Sequence, residues 1–167
     1  MAMGPGYHRE SQTKLAQVAR AEGAHAAVIS SAGALIATLQ ELGLGKVAIL
    51  APYMKPLTQT VVDYIEAEGI EVCAAHALEI SDNLAVGRRP PELALNAAAE
   101  IDLTGAQALV LSACVQMPAA AAIEAAEQKF GLPVVTASSC TVRQMLKALN
   151  VVPIVSGFGA ALSSQNA

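Results

Sequence analysis

The sequence contains no tryptophan and only two phenylalanines, and aromatics make up 3% of its 167 residues. A core without rings must be filled by Ala, Val, Leu and Ile, within an apolar fraction of 54%. That bias suits buried parallel strands covered by alanine-rich helices. Charge is sparse too, at 14% of residues, and the net charge is −4. A general nucleic-acid binder needs a basic face for phosphate, which this balance argues against. No apolar run approaches a membrane span, and the first residues lack the basic-then-apolar order of a signal peptide, so no membrane association is expected. The three cysteines are odd in number and lack framework spacing, which predicts free thiols in a reducing cytoplasm. CxxC, HExxH and His/Cys clusters are missing, so no metal site is expected. A GxSxG elbow and a GxGxxG turn are also missing. Gly43-Leu44-Gly45-Lys46 has the flavour of a phosphate loop but lacks the first glycine and the Ser/Thr after lysine, and it precedes a strand. It reads as a helix stop.

What is present centres on Ala108 to Pro118, ALVLSACVQMP. The unbroken run Ala108 to Leu111 predicts a buried parallel strand, and Pro118 suits the first position of an alanine-rich helix reaching Phe130. Cys114 then falls where strand becomes helix, at the carboxyl edge of the sheet, where α/β folds bind ligands. Helix-end amides there, Val115 and Gln116 among them, would favour a thiolate or an anionic substrate. The competing reading is a buried cysteine acting as a small hydrophobe.

The rest of the chain alternates. Met1 to Tyr7 (MAMGPGY) reads as a loop, followed by a helix over Arg9 to Glu22 with Leu15, Val18 and Ala19 at helical spacing. Ala26 to Ile29 is expected as a first strand. Ser31 can cap a helix with Leu35, Ile36, Leu39 and Leu42 inward, stopped by Gly43 and Gly45. Val47 to Leu50 is a second strand, leaving through Ala51-Pro52-Tyr53. Pro56 opens a helix with Leu57, Val61, Val62 and Ile65 inward, and Ile70 to Val72 forms a third strand. Ser81 to Pro91 is a long polar, turn-rich loop, a kind more often functional than accidental. Glu92 to Ile101 is a helix, Val134 to Thr136 a fifth strand, and Ser138 or Ser139 caps a helix over Thr141 to Leu149. The tail from Val151 is expected to fray. His8, His25 and His76 have no spacing relation to Cys114 and read as surface or strand-edge residues. The alternation predicts a doubly wound α/β fold with a parallel sheet.

Five segments occur in an order and spacing that resemble one family: SAGAL (Ser31 to Leu35), APYMKPLT (Ala51 to Thr58), DNLAVGR (Asp82 to Arg88), VLSACVQMP (Val110 to Pro118) and PVVTASSCTVRQMLKAL (Pro133 to Leu149). Together they resemble maleate cis-trans isomerases of the Asp/Glu racemase superfamily. The resemblance implies two similar α/β lobes with the active site between them, each giving one cysteine from a strand end. It also implies a cofactor-free reaction in which one thiol adds to maleate, the other handles the proton, and rotation and elimination yield fumarate. By position, Cys114 resembles the second-lobe cysteine. Tyr53, Asn83 and the Val115 amide resemble the groups that hold the substrate. Local readings compete, with Tyr53 as a surface aromatic and Asn83 as part of an Asx-turn after Asp82.

The resemblance further implies a first-lobe cysteine just upstream of MAMGPGY, for which Cys73 and Cys140 are poor substitutes. One lobe would then be near-complete (residues 32–136) and the other a remnant (1–31 and 137–167). On that expectation the 167-residue chain alone turns over little maleate. The expected partners are a small dicarboxylate and further copies of the chain. The alternatives are a catalytically inactive dicarboxylate-binding or packing module, or a related racemase or decarboxylase.

Overall fold

Two continuous β-rich runs, Val47–Leu50 and Ala108–Leu111, lie at the centre of the sheet, buried on both faces as such runs must be. A computed structural model describes residues 7–163 and Asn166. The predicted opening loop lies outside the described residues except for Tyr7, which already begins a helix. The elements are α1 (Tyr7–Ala21), α2 (Ser31–Glu41), β1 (Lys46–Ala51), α3 (Lys55–Ala67), β2 (Glu71–Ala77), α4 (Asn83–Gly87) and α5 (Pro91–Ala98). Then follow β3 (Ala108–Ser112), a 3-10 turn (Ala120–Ala122), α6 (Ile123–Phe130), β4 (Val134–Thr136), α7 (Ala137–Ala148) and a final 3-10 turn (Ala160–Leu162).

The four strands are parallel in the order β2-β1-β3-β4, with Val47 opposite Ala108 and Leu109 opposite Val134. Alternation along β1 divides the core. Val47 and Ile49 pack beneath Leu35, Ile36 and Leu39 of α2 and Val62 and Ile65 of α3. Ala48 and Leu50 face Ala94 and Ala98 of α5 and Ile123 and Ala126 of α6. Each fully buried Leu or Ile contributes about 1.5–3 kcal/mol, so these two layers carry most of the folding energy.

Several local expectations are corrected. Ala26–Ile29 is not a strand: it is extended without a strand partner, and the Val28 carbonyl accepts instead from the Gln12 side chain at 3.0 Å. The described sheet therefore has four strands, not five. The third predicted strand is longer, reaching Ala77. Ser30, not Ser31, caps α2 by accepting from the Gly33 amide. Thr136 caps α7, in a reciprocal pair with Ser139. On α3, Leu57 is 48% exposed and Tyr64 takes the inward place. Leu15 and Val18 of α1 are exposed. The described part of the tail, residues 151–163 and Asn166, is held, and the rest of the expected frayed end lies outside the described residues. The buried Arg143 guanidinium donates to the Ala161 and Asn166 carbonyls and pairs with Glu41, while Glu127 accepts from the Ala160 amide. Gly159 at φ +64 permits this close turn, since a Cβ there would lie 2.4 Å from Ile123 Cγ2.

His8 is also a correction, because it is buried where α1 crosses α3. Its Nδ1 lies 2.5 Å from the Tyr64 hydroxyl and 3.6 Å from Glu68, which Arg9 also pairs. Burial lowers the imidazole pKa below 6.5, opposed by the Glu68 carboxylate and reinforced by Arg9. A base with a folded pKa below its unfolded one binds protons more readily when unfolded. Stability should therefore fall as pH drops below about 6.5. Thermal melts between pH 7.5 and 5.5 should show this decline, and His8→Gln should flatten that part of it. A slope unchanged by the substitution would assign the decline to other groups.

Candidate active site

The chain runs outward from β1 through α3 to β2, then returns across β1 to β3 and β4. The order of the sheet reverses between β1 and β3, where open α/β sheets leave a crevice beyond the carboxyl ends of their strands. Tyr53 follows β1 by two residues and Cys114 follows β3 by two. Strand pairing thus brings together residues far apart in the chain, and the Ala113 amide donates to the Leu50 carbonyl to align the two strand ends.

Each residue is held by its neighbours. The Tyr53 carbonyl accepts from the Glu79 amide at 3.1 Å, and the Pro52 carbonyl from the Ile80 amide at 3.0 Å, so the stretch after β2 pins the Tyr53 loop. The half-buried Tyr53 packs against the apolar cluster that includes Cys114, whose side chain is buried. Burial, then the neighbouring Cys114 thiol, push the phenol well above its ordinary pKa of 10. Tyr53 therefore stays a neutral donor. The Ser112 hydroxyl, itself buried, donates to the Cys114 carbonyl at 2.6 Å and accepts from its amide at 3.2 Å. Ser138 of α7 donates to the Val115 carbonyl at 3.4 Å.

The expected helix at Cys114 is absent. Val115 and Gln116 form a turn, Pro118 is outside any helix, and α6 begins only at Ile123 after the 3-10 turn. No helix dipole is therefore aimed at Cys114, and the Val115 and Gln116 amides meet no backbone acceptor among the described residues. The Val115 side chain is exposed.

Asn83 opens α4, capped by Asp82, whose carboxylate accepts from the Leu84 amide at 2.9 Å. The Asn83 carbonyl accepts from the Gln116 side chain at 2.9 Å, which ties the polar loop to the Cys114 turn. Asn83 is exposed, so its amide is free to turn toward a ligand. Gln116 was expected only through its backbone amide and Ser138 only as a cap, and their side-chain bonds, like those of Ser112, were not foreseen. Only Ser112 left a signal, as the small polar residue closing an apolar run.

A cavity of about 240 Å³ opens beside Tyr53 and Ala113, walled by Leu35, Leu57, Val61 and Ile65. A larger cleft of about 650 Å³ lies at the start of β4, beside Glu124, Glu127 and Gly157, and contains none of the site residues.

The other thiols are differently placed. Cys73 lies within β2 and donates to the Val47 carbonyl at 3.3 Å. Cys140 is fully buried in the first turn of α7, and burial pushes its thiol up to about 12. At neutral pH, Cys140 should react with iodoacetamide roughly a thousandfold more slowly than an ordinary thiol, through its smaller thiolate fraction alone. Peptide mapping of a labelling time course checks this, and equal rates at all three cysteines would contradict it.

The family model for arylmalonate decarboxylase matches residues 4–162. The maleate isomerase of Geobacillus stearothermophilus is 48% identical over 165 residues, covering 99% of this chain and 66% of that protein. The crystal structure of the maleate isomerase Iso from Pseudomonas putida S16 superposes with a TM-score of 0.94 at 46% identity, covering 97% of this chain and 65% of that one. A maleate cis-trans isomerase from Nocardia farcinica, a cysteine-to-serine mutant with a covalently bound succinylcysteine intermediate, gives 0.92 at 41% identity over 95% of this chain and 65% of that one. The chain spans slightly less than two-thirds of the length of these relatives. In sequence and in fold, this chain belongs to the arylmalonate decarboxylase family.

Proposed function

We propose that this chain carries one half of the active site of a cofactor-independent isomerase that converts maleate to fumarate, with Cys114 as a reacting thiol. The observation that carries this reading is the packing of Tyr53 with Cys114 in one cluster where the sheet order reverses, each residue two beyond the end of an inner strand. A small dicarboxylate needs neutral donors there. Tyr53 remains protonated, the Val115 amide is unengaged, and Asn83 stands across the turn.

In the proposed reaction the Cys114 thiolate forms a carbon–sulfur bond to one alkene carbon, and the π pair moves to the other. That carbanion is stabilised by its carboxylate and takes a proton from a donor on the opposite side, giving a succinyl-like thioether. The former double bond is now single and rotates. On the newly protonated carbon, removal of the proton that rotation has turned toward the base, with expulsion of the thiolate, gives fumarate with no net electron transfer. Neither Cys73, bonded to β1, nor the buried Cys140 can serve as the opposing proton donor, so that role falls to another group.

The lobe assignment belongs to the same proposal: residues 32–136 form the lobe carrying Cys114, supported by the four strands lying within those limits. A cytoplasmic setting is supported by three free thiols. A homo-oligomer is supported by the exposed Met145, Leu149, Val152 and Ile154.

Incubation with maleate should add the mass of one diacid to the protein, mapped by peptide sequencing to Cys114, and maleate should slow alkylation of that residue. Iodoacetamide should also label Cys114 faster than Cys73. Neither an adduct nor protection at any maleate concentration would sink this reading.

A further inference from the structure

We propose that Gln116 is a positioning residue whose side-chain amide latches the Asp82–Arg88 loop to the Cys114 turn, so that Asn83 and the thiol keep a fixed separation. This rests on the reading of Asn83 and Cys114 as parts of one site.

Among the described residues, the other backbone bonds of this segment, which contains α4, are internal. Asp82 caps the Leu84 amide, the Val86 amide returns to Asp82, and the Arg88 and Arg89 amides return to Ala85 and Val86. Its apolar anchor is a single residue, the buried Val86. Against that, Gln116 Nε2 reaches across to the Asn83 carbonyl at 2.9 Å. Gly87 approaches the same side chain closely enough that a Cβ would meet Gln116 Cγ at 3.9 Å. The other end of the latch is rigid, because Ser112 fixes the Cys114 backbone from β3 and Ser138 holds the Val115 carbonyl from α7. The residue type suits the task. A glutamate of the same length, once ionised, could not donate to a carbonyl. A lysine or arginine would place a full charge beside a dianionic ligand and compete with the neutral donors for it.

The test uses Gln116→Met, which keeps length and volume but removes the donor. Amide hydrogen exchange within Asp82–Arg88 should accelerate roughly three- to tenfold, the range of one net hydrogen bond, while exchange in β1 and β3 is unchanged. Protection of Cys114 from iodoacetamide by maleate should require three- to tenfold more maleate. In an Asn83→Ala background the same substitution should add no further loss, because a displaced loop then has no side chain to misplace. The melting midpoint should hold, as a general packing defect would not. Unchanged loop exchange, or a loss of protection that adds in full to that of Asn83→Ala, would overturn the proposal. If maleate fails to protect the unsubstituted protein, the proposed substrate falls, and the exchange measurement still decides the latch.

Discussion

Replacing Cys114 with serine is expected to abolish the proposed maleate adduct and, in the intact two-thiol enzyme, to reduce isomerisation by on the order of 10⁴-fold or more, the scale on which a covalent nucleophile's loss is felt. The two side chains differ by one atom and fill nearly the same space, so the fold should persist. What changes is the nucleophile. A thiol gives an appreciable thiolate at neutral pH and is intrinsically reactive toward an activated alkene, whereas a lone serine hydroxyl without a general base is neither. The site supplies no such base to serine, because its neighbour Tyr53 is held protonated and acts as a donor. Cys73→Ser is the matched control, since its thiol faces the backbone of β1 and should be dispensable. Fumarate formation with maleate in excess, together with intact mass, measures both. Retained turnover in the Cys114 variant, or equal loss in the Cys73 variant, would assign the chemistry elsewhere.

The second large effect concerns Tyr53 and Asn83, the donors proposed to hold the substrate. Tyr53→Phe and Asn83→Ala should each cost about 1.5–3 kcal/mol, or roughly ten- to a hundredfold in turnover or affinity, because each removes a hydrogen bond to a charged acceptor. The two should differ in kind. Tyr53 also packs in the cluster that holds Cys114, so its loss should change the rate at which that thiol is alkylated in the absence of maleate. Asn83 reaches the Cys114 turn only through Gln116, so its loss should leave that rate alone and raise the maleate needed for protection. Kinetic constants untouched by both substitutions would remove these residues from the site.

The parts of the fold legible in sequence were those set by local pattern. Val47–Leu50, Ala108–Leu111 and Val134–Thr136 are unbroken β-rich runs, and only a strand buried on both faces accommodates them. Ala26–Ile29 has the same composition yet forms no strand, because strand formation also requires a neighbour, and neighbours are a property of the whole chain. The helix expected at Pro118 begins five residues late for a related reason. Alanine favours α and 3-10 turns alike, and Ala120–Ala122 form a 3-10 turn in the stretch that would have been its first α turn. His8 sits on an otherwise polar helix, and nothing adjacent announces that Tyr64 and Glu68 enclose it. Within the site, Tyr53 and Cys114 were visible because each follows a strand, which fixes their edge of the sheet. Gln116 was not, since an exposed amide in a turn has the same appearance whether or not it reaches another loop.

The placement of Tyr53 and Cys114 on the two middle strands bears on how the molecule loses activity under stress. Among the described residues, β2 and β4 each have a strand neighbour on one side, while β1 and β3 are flanked on both. Fluctuations that peel away a rim strand leave the inner pair joined, and with it the packing of Tyr53 with Cys114. The proposed reacting centre is thereby insulated from fraying. The polar loop bearing Asn83, anchored by Val86 and one side-chain bond, is not. Under mild heating or low denaturant the molecule should lose its grip on the diacid well before it loses the reactivity of its sulfur.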